Sequence, residues 1–100
     1  MKVGSMITKK IAQNRIDNLF MNLNEQNYMV EYQLQNNLIN TQTAVSFYET
    51  IYSIGLEELN SISSQYNLQG LKIDDSKIYT YLNYVKNRAQ LLQDSLLVKN

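Results

Sequence analysis

Apolar residues recur in alternating steps of three and four along most of this chain. Phe20, Leu23, Asn27, Val30, Leu34 and Leu38 lead into Thr41, Val45, Tyr48, Tyr52, Gly55, Leu59, Ile62 and Tyr66. A second run, Ile78, Leu82, Val85, Ala89, Leu92 and Leu96, keeps a strict 4-3-4-3-4 spacing. Such spacing holds one stripe of an α-helix against a neighbour along its whole length. Proline is absent from all 100 residues, so the strongest helix breaker never intervenes. The pattern predicts an all-α fold, either an antiparallel helical hairpin or a three-to-four-helix bundle with coiled-coil-like seams.

The two runs are separated by Tyr66–Ile78, which reads as one helix stopping and another starting. Gly70 can adopt the left-handed conformation that ends a helix. With Gly70 just outside, Leu71 and Tyr66 become the apolar pair that accompanies such a cap. Asp74 is the predicted N-cap of the next helix, and Ile73 and Ile78 then have the spacing of a hydrophobic staple. Asp75 adds negative charge where the helix dipole favours it. The aspartates are thus read as caps, and the segment lacks the oxygen ligands of a calcium loop.

One domain over residues 1–100 is expected, with helices at about 7–24, 28–69 and 75–99 and residues 1–5 frayed. Ile7, Ile11, Ile16, Leu19, Phe20 and Leu23 form the face of the first helix. Asn amides compete with the backbone, so the cluster Asn22, Asn24 and Asn27 favours a break near Asn24–Asn27. Asn40–Thr43 is a second weak point, with Thr41 as a possible N-cap; a break there would make four helices. Gly55 lies inside the seam, where it marks either a kink or a close backbone approach.

The chemistry available is narrow. There is no Cys and no His, which removes thiolate chemistry and the commonest acid–base side chain. Glu57-Glu58 and Asp74-Asp75 are sequence neighbours and diverge by about 100° on a helix, so neither forms a carboxylate dyad. No phosphate loop, metal-ligand spacing or nucleophile elbow occurs. A non-enzymatic chain without cofactor or metal is expected. No run approaches the ~18 apolar residues of a membrane span. No apolar block follows the N-terminal lysines, so a soluble chain without a secretory signal is expected.

Charge is sorted along the sequence although nine bases balance nine acids. Residues 1–15 carry four bases and no acid; residues 16–71 carry six acids and no base. An acidic central helix flanked by basic ones accounts for this. The alternative is a nucleic-acid partner for Lys9, Lys10, Arg15, Lys77, Lys86 and Arg88, with a membrane surface less favoured. The eight tyrosines are the other unusual feature. Tyr28/Tyr32 and Tyr48/Tyr52 are i,i+4 pairs, and Tyr81, Tyr84, Arg88 and Leu91 widen the apolar face of the last helix. Tyrosine is favoured at protein interfaces. Tyr81, Tyr84, Arg88, Leu91, Tyr48 and Tyr52 are therefore the candidate contact residues. The partner would be a second copy or another helical protein. The expected function is a structural subunit, an adaptor, or a chaperone of the secretion or assembly type. Ser53-Ile54-Gly55 lacks the Trp that small secreted helical hairpins carry at their Trp-x-Gly turn, and no family is assigned.

Overall fold

The computed structural model describes residues 2–67 and 70–98, with side chains from 8–67 and 70–97. The side chain of Ile7 and the expected helix ends at Gln69 and Lys99 lie outside these. The chain forms three helices, α1 (Lys2–Gln35), α2 (Thr41–Asn67) and α3 (Ser76–Val98), and no strand occurs among the described residues. Lys2–Ser5, expected to fray, belong to α1.

Successive helices run antiparallel. Arg15 meets Gln65 while Leu23 lies against Gly55, and Ser63 meets Asp75 while Lys86 covers Tyr52. α2 is the central helix, packed extensively on both neighbours, whereas α1 and α3 touch sparingly. The result is an elongated body of 61 × 22 × 15 Å. At 1.5 Å per residue, α1 alone spans about 51 Å.

The expected break at Asn24–Asn27 does not occur; α1 passes straight through it. The reason lies in Asn27, which is buried at the seam. Its Nδ2 donates to Glu31 Oε1 one turn on, at 3.2 Å, so the amide does not compete for the backbone. The real break falls at 36–40, which splits the expected 28–69 helix. Asn37 has φ 59°, Asn37 N–H donates to Leu34 O at 3.2 Å, and Leu38 N–H donates to Gln33 O at 2.8 Å. That pair of bonds is a Schellman cap with Asn in the usual glycine place. Leu38, expected on the seam, leaves the helix here and is 65% exposed.

The N-cap of α2 is Asn40, one residue before the expected Thr41. Asn40 Oδ1 accepts from Thr43 N–H at 2.8 Å, and Asn40 O accepts from Ala44 N–H at 3.0 Å. Ile39 before the cap and Ala44 after it both join the core, which is the staple spacing. Asn40→Ala should lower stability by about 1 kcal/mol in urea unfolding, with Asn40→Asp recovering most of it.

The cap that ends α2 closes at Gly70 as expected. Gly70 has φ 73°, Gly70 N–H donates to Asn67 O at 2.9 Å, and Leu71 N–H donates to Tyr66 O at 3.2 Å. Asp74 Oδ1 accepts from Ser76 N–H at 3.3 Å and Ser76 Oγ–H at 2.7 Å. These bonds hold the Asp74 carboxyl below its ordinary value. The helix starts one residue later than expected, and its N-cap is Asp75 rather than the expected Asp74, because Asp75 O accepts the first helical bond, from Tyr79 N–H at 3.2 Å. Ile73 and Ile78 both join the core, though with Asp75 as cap they lie one position off the staple spacing.

The core follows the seams: Leu23, Val30, Val45, Tyr48, Leu59, Ile62, Tyr66, Ile78, Leu82, Val85 and Ala89 are buried. Ile11 is half exposed, and Ala12 takes its place inside. At Gly55 a Cβ would come within 2.9 Å of both Leu23 Cδ2 and Leu82 Cδ2. The missing side chain lets one leucine from α1 and one from α3 rest on the α2 backbone. Of the two sequence readings of this glycine, close approach is the one observed.

Candidate interaction face

Outside the leucines that meet over Gly55, the sparse α1–α3 contact is aromatic and polar. Phe20 of α1 meets the Tyr81 ring edge-on at 5.4 Å between centroids, and Tyr84 stacks beside Tyr81 at 6.0 Å. Lys77 Nζ lies 5.5 Å from the Phe20 ring centre, within cation–π range. One level further along, Tyr84 Oη–H donates to Glu31 Oε1 at 3.0 Å, the same oxygen that accepts from Asn27.

Beneath this layer all three helices contribute polar groups. The Tyr48 hydroxyl of α2, the Tyr81 hydroxyl and Arg88 Nε of α3, and Asn27 Oδ1 of α1 are buried without a hydrogen-bond partner. They fall in two neighbouring pairs. Arg88 lies beside the Tyr48 hydroxyl, and Asn27 beside that of Tyr81, each outside hydrogen-bonding geometry. A buried polar group left without a bond costs about 1–3 kcal/mol.

Burial raises the Tyr81 phenol to about 12, and the negative charge of Glu31 adds to it. Burial raises Tyr48 too, against the pull of Arg88. Tyr84 is raised chiefly because it donates to Glu31. A phenol raised only in the folded state contributes stability that is full below its unfolded value and is lost as pH rises. For Tyr81 the window runs from 10.0 to about 12. Far-UV circular dichroism should show stability falling across it. Tyr81→Phe should flatten part of that fall and leave stability at neutral pH nearly unchanged, because the lost hydroxyl has no partner.

Four of the six candidate contact residues, Tyr48, Tyr81, Tyr84 and Arg88, thus come together. Tyr48 has no accessible surface and is an internal contact, not an outward one. Leu91 continues the outer stripe and is 65% exposed. Tyr52 turns the other way, into the α2–α3 groove, under Lys86 Nζ at 5.6 Å and in a shallow cleft with Glu49 and Gln93. Sequence reasoning missed Phe20, Asn27 and Glu31 as members of the cluster. A polar residue on an otherwise apolar seam was the available signal for Asn27. The outer side of α1 adds Met21, Tyr28 and Tyr32, all about half exposed or more.

Comparison with protein families, curated proteins and solved structures finds no match to this chain.

The basic residues are dispersed. Arg15 Nη1–H donates to Gln65 Oε1 at 3.2 Å, and its guanidinium lies 5.8 Å from the Tyr66 ring centre in the α1–α2 groove. Lys86 lies on the α2–α3 side, and Lys77 and Arg88 lie on the α1–α3 side. No described helix is long and apolar enough to cross a membrane.

Proposed function

We propose that this chain is a non-catalytic helical interaction protein, acting as a structural subunit, adaptor or assembly-type chaperone through the outer side of α1 and α3. The observation that carries the reading is the exposed apolar series Met21, Tyr28 and Tyr32 on α1 with Tyr84 and Leu91 on α3. Exposed apolar surface gathered in one region marks interaction sites, and Tyr and Met are enriched at interfaces. The Tyr84–Glu31 hydrogen bond supports the reading, because it holds in place one of the rings that a partner would meet.

Leu91→Ser combined with Tyr28→Ser tests this. Both residues are exposed, so helicity and melting temperature should hold while self-association or partner capture falls. Association unchanged in the double variant overturns the reading. The dispersal of Arg15, Lys77, Lys86 and Arg88 over different grooves favours this function over nucleic-acid binding. That rival requires a gel shift at low salt, where phosphate attraction is strongest.

A further inference from the structure

We infer that the α1–α3 face docks on the same face of a second copy, about a two-fold axis running along the bundle. This rests on the interaction reading above and specifies its partner.

The chain exposes 7141 Å². A compact monomer of this mass exposes about 5,900 Å². The radius of gyration, 16.7 Å, likewise exceeds the ~13 Å of a compact chain of this length. A standard interface removes about 800 Å² per partner, which the excess accommodates.

Charge selects the geometry. Asp17 stands exposed on the α1 lip of the face, one turn beyond Gln13, which bonds the Asp74 backbone just before α3. Lys77 stands exposed on the α3 lip, over Phe20. Arg88 is partly buried, with Nε beneath the lip beside Tyr48, and Glu31 is held by Tyr84 and Asn27, so neither is free to meet a partner. The two helices are parallel, so Asp17 and Lys77 share one level. An axis across the helices would set α1 against α1 and leave Lys77 without an acid opposite. An axis along them sets each α1 lip against the partner's α3 lip at equal height. That places Asp17 of each copy against Lys77 of the other, with Tyr28, Tyr84 and Leu91 further along the same face. Charge arrangement of this kind governs register and excludes wrong pairings.

Asp17 and Lys77 are both exposed, so their charges can be changed without opening the core. Asp17→Lys and Lys77→Glu should each weaken dimerisation at low salt by about tenfold, since each change acts twice per dimer. An equimolar mixture of the two variants should regain the parent's affinity, because each new charge then faces its opposite. Analytical ultracentrifugation gives the dissociation constants. A dimer unaffected by Lys77→Glu, or a mixture that stays weak, overturns this geometry and leaves self-association standing. A parent chain that is monomeric throughout overturns the two-fold dimer itself, and capture of a helical partner then decides the broader reading.

Discussion

Leu82→Ala is expected to destabilise the protein by about 2–5 kcal/mol, the range for removing a fully buried leucine from a core that cannot collapse around the loss. Leu82 is 1% exposed and packs at the level where α3, α2 and α1 converge on Gly55. Because α1 and α3 touch each other sparingly, their register relies on what each makes with α2. Urea unfolding with an unchanged m-value would report the loss as stability. A fall below about 1 kcal/mol would mean that the packing at this level is looser than described.

Gly55→Leu should also destabilise the protein, by overpacking rather than by cavity. The Cβ alone would come within 2.9 Å of Leu23 and Leu82, and the rest of the side chain has nowhere to go between two helices. Forced insertion of this sort costs about 1–3 kcal/mol, often with backbone shifts. Gly55→Ala is the informative control. Its gain in helix propensity, about 1 kcal/mol, opposes the displacement of the Leu23 and Leu82 methyls. In the Leu82→Ala background the Leu82 methyl is gone, while the Leu23 methyls stay at 2.9 and 3.1 Å from the new Cβ. The same Gly55→Ala change should then cost less than in the parent chain, and the non-additivity measures the three-helix contact directly.

The seams were legible because they rest on side-chain period alone. Leu23, Val30, Val45, Tyr48, Leu59, Ile62 and Tyr66, with Ile78 to Ala89, occupy the core at the positions that alternating steps assign them, whereas Leu38 of the same series is 65% exposed. The Gly70 cap was legible for a similar reason, since few residues besides glycine tolerate its φ of 73°. The matching cap at Asn37 was missed because asparagine fills that conformation while also being common elsewhere in this sequence. Asn27 misled in the opposite sense. Local propensity reads it as a breaker, yet its partner Glu31 lies one turn away and converts it into a seam residue. Asn40 and Thr41 differ by one position, below what capping preference separates when both residues can cap.

The candidate site was legible in part. Tyr81, Tyr84 and Arg88 were placed on one stripe by spacing, and they do share one side of α3 with the α1 contact. Tyr48 was assigned to a surface by its residue type although its own seam position argued for the core. The depth of the polar cluster was not legible, since it depends on how closely three helices approach, which pairwise spacing along one chain does not encode.

Light scattering of the parent chain at tens of micromolar and low salt should give a molar mass of about twice the 11.7 kDa monomer, falling toward the monomer on dilution or added salt. A mass fixed at 11.7 kDa over the whole range, with no partner recovered by pull-down, would contradict it.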